Sequence, residues 1–434
     1  MESLAGKRVT VAGLGRFGGG IAVTRWLCAQ GAKVLVTDSD PPEKLADSLR
    51  QLEGLPLDFR IGEHRQDDFT SADIVVASPA IPPSNPYIHA ARAAGKPVTT
   101  EIRLFIERCP AEIIGVTGTK GKSTTTAMLG KMLATTIKTW IGGNIGKSLL
   151  ADLEQIGASD LVVLELSSYM LHHLSETRWS PHVAVVTMIS QDHLKWHGSL
   201  EAYLDAKRNI IRFQQPVDFA VLNEEDPTAA GLAREAPGKV FLYGARNRRR
   251  FDLLIPGEHN QLNAQGAFTA ASIFGVDFAQ AQQALAEFPG LPHRLQLIHE
   301  SAGVRYFNDS IATIPEAAVA ALMSFPSKKV IQIVGGYGKE IPIKALCAAL
   351  IERAKAVLCV GATGPSIADL LEQSPSQHAA ATYRCGDLPT AVSIAKNIAA
   401  SGDIVLLSPG FKSYDQFVNF EQRGDEFVKS ARGY

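Results

Sequence analysis

From Glu112 to Ala134 the chain reads as a strand-like run, EIIGVT, a short turn, GTKGK, and a helix that opens at STTT and runs through AMLGKMLA. That junction is suited to holding phosphate. Backbone N–H groups at a helix start, with the positive end of the helix dipole, cradle phosphate oxygens; Lys122 adds a point charge and the Ser123 hydroxyl can ligate Mg²⁺. An ATP-type site is therefore expected from Gly118, Thr119, Lys120, Gly121, Lys122, Ser123, Thr124 and Thr125. The strict P-loop pattern would place glycine at position 116, where this chain has Val116, with glycines instead at 115 and 118. A turn that merely caps a helix is the plainer alternative, and the joint occurrence of strand, Gly-Lys-Ser and helix argues against it.

A second glycine-rich turn, Gly13-Leu-Gly15-Arg16-Phe17-Gly18, follows the strand-like RVTVA, and Asp38 ends the next strand-like run. Its spacing suits a pyrophosphate with an acidic residue on a ribose, which a UDP-linked substrate satisfies as well as a dinucleotide. Further along, LVVLELSS ends in Glu165 and VAVVTMISQDHL carries Asp192 and His193. A carboxylate and an imidazole at strand ends could hold a divalent cation on phosphate oxygens. In SLEAYLDAKRNIIR, Leu200, Leu204 and Ile211 define an apolar stripe that includes Lys207. A lysine there either snorkels its stem along apolar surface or is a functional amine made reactive by desolvation.

The elements that must position these groups are legible as alternation. Nine short apolar runs (RVTVAGLG, AKVLVTDSD, DIVVASPA, EIIGVTG, LVVLELSS, VAVVTMI, KVIQIVGG, AVLCVGA and DIVLLSPG) are separated by helix-length amphipathic stretches. This is the pattern of α/β domains with parallel sheets covered by helices. The 434 residues suit three domains at about 150 residues each. Punctuation places breaks near 100 and 292, giving 1–100, 101–292 and 293–434: a Rossmann-like first domain, a central P-loop domain with a mostly parallel sheet, and a Rossmann-like last domain. Lys and Arg number 43 against 44 Asp and Glu, a net charge of −1. No global field draws the chain to nucleic acid or anionic lipid. The run Arg246–Arg250 lacks the interleaved aromatics of a strand-binding platform and reads as a solvated turn. There is no apolar stretch long enough for a membrane span and no export signal, and five scattered cysteines without a CxxC pair fit reduced thiols in a cytoplasm.

Taken together, GVTGTKGKSTTT, GGNIG, LELSSYML, DHLKWHGSLEAYLDAKRNI, GEHNQLNAQGAFTAA, LPHRLQ, NDSIAT and SPGFKSYDQFVNFEQRGDEF resemble the Mur ligases, ATP-dependent peptide synthetases of peptidoglycan precursors. The likeness spans essentially the whole chain. It implies three domains that bind, in turn, a UDP-linked substrate, ATP and an incoming amino acid. The branch resembled most is the one that adds D-glutamate to UDP-N-acetylmuramoyl-L-alanine through an acyl phosphate. By that resemblance Gly15, Arg16, Phe17, Asp38, Ser78 and Asn144 face the UDP-linked substrate. Lys207 is carbamylated by CO₂ and helps place Mg²⁺ with Ser123, Glu165 and His193. Asn260, Asn263, Arg294 and Asp309 surround adenine and ribose. Thr313, Lys339, Ser413 and Phe420 grip the incoming glutamate, and Arg423 matches a late arginine of the family. A cytoplasmic monomer with no nucleic-acid partner is expected.

Three positions depart from the family text: Ile311 stands where NDSKAT carries lysine, Lys120 where asparagine is common in the glutamate-adding branch, and Lys412 where a small residue is usual. Losing a charge beside the nucleotide and amino-acid sites leaves L-glutamate, used by another branch, as an alternative. A folylpolyglutamate-type ligase shares the phosphate loop but lacks the GLGRFGG domain, and an NAD-dependent oxidoreductase is supported only by Gly13, Gly15, Gly18 and Asp38.

Overall fold

The computed structural model describes residues 3–15, 18–246, 248–338, 341–373 and 380–433. By contact the chain divides into two compact units, one of residues up to 248 with 262–281, the other of 249–261 with 282 onward.

The first unit holds two wholly parallel sheets. In the first sheet, β1 (Arg8–Ala12), β2 (Lys33–Asp38), β3 (Leu57–Ile61), β4 (Ile74–Ala77) and β5 (Val98–Thr99) lie in the order β3-β2-β1-β4-β5. The second sheet comprises β6 (Glu112–Thr117), β7 (Thr139–Gly143), β8 (Leu161–Glu165), β9 (Val183–Val186), β10 (Phe219–Asn223) and β11 (Lys239–Tyr243), in the order β11-β10-β9-β6-β8-β7. In both sheets the strand order reverses beside the first strand, so β1 with β4 and β6 with β9 open a crevice at their carboxyl ends, where ligands of such sheets bind. Every residue of β8 and β9 is buried, as strands covered on both faces must be. One continuous apolar core joins the two sheets, running from Val9, Trp26 and Leu27 through Ile102 and Phe105 to Leu149, Leu164 and Ile210.

The second unit carries a six-stranded sheet: β12 (Gln296–Ser301), β13 (Val304–Asn308), β14 (Val330–Val334), β15 (Ala354–Val360), β16 (Ala381–Gly386) and β17 (Ile404–Leu407), ordered β12-β13-β17-β14-β15-β16. All its pairs are parallel except β12 with β13, an antiparallel hairpin absent from the expected alternation. Apolar clusters cover both faces of this sheet. The architecture is the three-domain α/β arrangement expected from the alternation.

The nine apolar runs form β1, β2, β4, β6, β8, β9, β14, β15 and β17. The strands not read from sequence include the exposed edge strands β3 and β11 and the two-residue β5.

The helix Leu200–Arg212 corrects one detail. Ser199 caps it by accepting from the Ala202 N–H at 3.1 Å, and its buried residues are Tyr203, Ala206, Lys207, Asn209, Ile210 and Ile211. Leu200 is exposed, as the first residue of the helix after its cap. Lys207 does lie on the buried face, at 2% exposure.

Candidate active site

The carboxyl ends of β6, β8 and β9 deliver the phosphate-loop residues, Glu165 and the segment 187–193 to one place. Gly118 has φ of 150°, and a Cβ there would lie 1.9 Å from Thr187 Oγ1, so only glycine lets β9 pack this close. The Thr187 hydroxyl lies 3.0 Å from the Thr117 carbonyl and 2.7 Å from that of Lys120, stitching the loop to β9. Thr119 donates from Oγ1 to the Ser190 carbonyl at 2.8 Å and accepts from the Ser190 N–H. Its single hydroxyl proton is thereby used, so the Tyr203 hydroxyl 2.6 Å away is the donor of their mutual bond. Lys122 Nζ donates to the Thr119 carbonyl at 2.9 Å. Lys122, Ser123, Thr124 and Thr125 open the helix Lys122–Leu133, whose N-cap is Gly121. Asn263 reaches this helix from the same unit, its Oδ1 accepting from the Thr125 hydroxyl at 3.4 Å.

Glu165 is 1% exposed; one carboxylate oxygen accepts from Asn144 Nδ2 at 2.8 Å, and the other has no hydrogen-bond partner. A buried carboxylate oxygen without a donor is a strong demand for a cation. Lys207 Nζ donates to the Gly118 carbonyl at 2.6 Å and lies 4.9 Å from the centre of the Tyr203 ring. Burial, and then the charge of Lys122, hold this amine well below the ordinary lysine range, against the pull of Asp192 and Glu165. The same burial and neighbouring charge disfavour the ammonium form. His193 adopts a left-handed φ of 52° and packs on the Tyr169 ring at 4.8 Å, with Nε2 3.5 Å from Asp192. No group of three or more His, Cys, Asp or Glu is gathered as a metal site among the described residues.

At the first sheet, the Gly15 N–H donates to Asp38 Oδ2 at 3.0 Å, the Asp40 N–H to Asp38 Oδ1 at 2.9 Å, and the Ser48 hydroxyl to the Gly15 carbonyl. Asp38, read from sequence as facing a ribose, accepts with each carboxylate oxygen from one backbone amide that shapes the loop and keeps further lone pairs on both. Ser78 follows β4, its N–H bound to the Ala12 carbonyl and its Cβ 2.9 Å from where a side chain on Gly13 would begin. Arg16 and Phe17 lie outside the described residues, as does Lys339.

In the second unit, Asp309 accepts from the Leu295 N–H at 3.1 Å and from the Ser408 hydroxyl at 2.7 Å. Burial raises its carboxyl to about 7, with the two hydrogen bonds and Arg294 pulling the other way. Arg423, buried, donates to the Ser310 hydroxyl, the Ser310 carbonyl and the Phe411 carbonyl, and desolvation lowers its guanidinium to about 10. The Phe420 carbonyl accepts from Ser310 Oγ, and the Phe420 ring stands edge-on to His293 at 6.0 Å. Asp309, Arg294, Phe420 and Arg423 thus form one neighbourhood. Ser413 is buried, its carbonyl accepting from the Gln416 and Phe417 amides; Thr313 is half-buried; and Asn260 donates to the Pro256 carbonyl at 2.6 Å. Asn263 belongs to the first unit and Asn260 to the second.

Sequence reading missed Thr187, Tyr203 and Ser190 as braces of the phosphate loop. Only Tyr203 carried a signal, four residues before Lys207 on the same helix face.

Comparison with known proteins follows the same three parts of the chain. The Mur ligase MurD-like N-terminal domain matches residues 7–100, the Mur ligase middle domain residues 116–254, and the Mur ligase glutamate ligase domain residues 293–411. The chain is 42% identical over 466 aligned positions to the UDP-N-acetylmuramoylalanine–D-glutamate ligase of Roseiflexus sp. (strain RS-1), covering 99% of each. It is 37% identical to the enzyme of that name from Acetivibrio thermocellus, covering 98% of this chain and 96% of that one. Among solved structures it resembles the UDP-N-acetylmuramate–alanine ligase of Thermotoga maritima, with a TM-score of 0.61 at 23% identity over 98% of this chain and 99% of the other, a likeness of fold.

Proposed function

The chain belongs to the Mur ligase family, and on that premise we propose that it joins D-glutamate to UDP-N-acetylmuramoyl-L-alanine with ATP as phosphoryl donor, in peptidoglycan precursor synthesis. The observation that carries this reading is the convergence of Lys122, Lys207, Asn144 and the under-bonded Glu165 around the loop that starts at Gly118.

A carboxylate oxygen of the L-alanyl group attacks the γ-phosphorus of ATP, and ADP leaves, giving an acyl phosphate. The amine of glutamate then adds to the acyl carbon, and phosphate departs as the amide forms and the amine loses its proton. Both partners of the first step are anionic, so neutralising and aligning them is the main task. Lys122 supplies a fixed positive charge beside the loop amides. Asn144 orients Glu165 and faces the substrate. The free oxygen of Glu165 suits a divalent cation, and Ser123, Glu165, His193 and a carbamate on Lys207 would hold Mg²⁺, which when bound screens the charge between carboxylate and phosphate. The carbamate would form as the unprotonated state of the Lys207 amine adds to CO₂ and releases one proton, turning a buried amine into an anionic ligand. Gly15, Arg16, Phe17, Asp38 and Ser78 take the UDP-linked substrate, Asn260, Asn263, Arg294 and Asp309 the nucleoside of ATP, and Thr313, Lys339, Ser413 and Phe420 the glutamate. These roles follow domains 1–100, 101–292 and 293–434 in a cytoplasmic monomer.

ADP formation measured with UDP-N-acetylmuramoyl-L-alanine and, separately, D-glutamate, L-glutamate, D-aspartate and meso-diaminopimelate tests this. Turnover with D-glutamate alone is expected. L-glutamate turnover would assign the other branch, as Ile311 in place of lysine allows, and no ATP consumption with any of them would overturn the reading. Lys207→Ala should be inactive and partly restored by acetate or propionate; an active variant would leave Lys207 as a structural side chain that only braces the Gly118 carbonyl.

A further inference from the structure

The segment DHLKWHGS contains a residue the reaction above leaves unused. Trp196 lies in the short helix Leu194–His197, three residues beyond His193, and its indole packs in a cluster of rings: 4.7 Å from Tyr169, 4.5 Å from His197 and 5.3 Å from His172. Tyr169 is shared, for the same ring packs on His193 at 4.8 Å. An indole has one polar atom to satisfy. Trp196 Nε1 donates at 3.0 Å to the carbonyl of Ala80, 116 residues earlier in the chain.

Ala80 is not an arbitrary acceptor. Ile81 donates its N–H to the Ser78 carbonyl at 3.0 Å, closing a turn with Pro79 and Ala80 at its centre. The carbonyl of the third turn residue, Ala80, takes no part in that bond, and it accepts from the indole instead. Ser78 heads the turn and presses on Gly13 of the first glycine-rich loop. A single side chain thus ties the turn that carries Ser78 to the segment that carries His193, within one compact unit.

We propose that Trp196 is a positioning residue that sets the UDP-binding turn of the first sheet at a fixed register from the phosphoryl-transfer centre of the second. The proposal rests on the ligase reading above, since it assigns Ser78 to the UDP-linked substrate and His193 to the centre. A substrate held at its nucleotide end by one loop and at its carboxylate by the other is sensitive to the spacing between them, whereas ATP, seated on the phosphate loop, is not.

Trp196→Phe keeps the ring packing and removes the donor. It should raise KM for UDP-N-acetylmuramoyl-L-alanine about fivefold, the worth of one neutral hydrogen bond, leaving KM for ATP and the thermal midpoint unmoved. An unchanged KM for the UDP substrate, or equal losses for both substrates with a lowered midpoint, would overturn the proposal in favour of simple packing. In the wild-type chain, hydrogen exchange with the UDP substrate alone should slow in residues 78–84 and 192–197 together; protection of the first segment without the second would also overturn it. If the wild type consumes no ATP with this substrate, the ligase reading fails instead.

Discussion

The two glycine-rich loops of the first unit begin alike and are built differently. Each links a central parallel strand to a helix capped by a left-handed glycine, Gly18 at φ 89° and Gly121 at φ 87°. Around the phosphate loop the space is taken: Gly118 abuts Thr187, and Thr119 is tied to Ser190 and Tyr203. Around the first loop the crowding is confined to its start, where a side chain on Gly13 would begin 2.9 Å from Ser78 Cβ; one on Gly15 would meet nothing within 4 Å, and two side chains, Asp38 and Ser48, brace that residue's backbone. A triphosphate whose terminal group must react needs a rigid cradle, while a diphosphate that is only gripped tolerates an open one.

That contrast can be broken by mutation. Lys122→Ala should lower glutamate-dependent phosphate release by at least about a hundredfold, the scale for removing a charge from a transferring phosphoryl group; near-normal turnover would remove the loop from the chemistry. Gly118→Ala meets the Thr187 hydroxyl and an unfavourable backbone costing about 1–3 kcal/mol, so denaturant unfolding should show marked destabilisation with loss of ATP binding. Gly15→Ala meets only the left-handed penalty of roughly 1 kcal/mol. It should fold nearly as well as the parent and act through KM for the UDP substrate. Equal damage from the two glycine variants would erase the distinction.

The smallest effect concerns the second unit. Burial holds Asp309 at about 7, above the unfolded value of about 3.9. The folded chain therefore binds more protons than the unfolded chain between these limits, and its stability is fullest below the lower limit and declines as pH rises through the upper one. Thermal midpoints of Asp309→Asn across that window should fall less steeply than those of the parent. Parallel slopes would mean the carboxyl titrates normally.

What the sequence disclosed follows the same physics. Central strands such as LVVLE and VAVV are buried on both faces and advertise themselves as unbroken apolar runs. Edge strand β3 mixes polar with apolar residues, and β11, KVFLY, is apolar but exposed along most of its length; both passed unread. The phosphate loop was legible because its groups are contiguous. Thr187, Tyr203 and Trp196 were not, because each acts on residues 67, 84 and 116 positions away, and a single threonine or tryptophan carries no pattern. Lys207 stood between these cases: its burial was visible from helical spacing, although Leu200, used to draw the stripe, is exposed.

The apolar core that crosses residue 100 without interruption has a consequence for how this chain comes apart. The helix Gly19–Ala29 rests against the helix Glu101–Ile106 and the turn Leu149–Gln155. With no solvated seam between them, the first and second sheets should melt in one cooperative step. A fragment severed after residue 100 would present Trp26 and Leu27 to water, and so would be a sticky half of a body rather than a freestanding nucleotide-binding module.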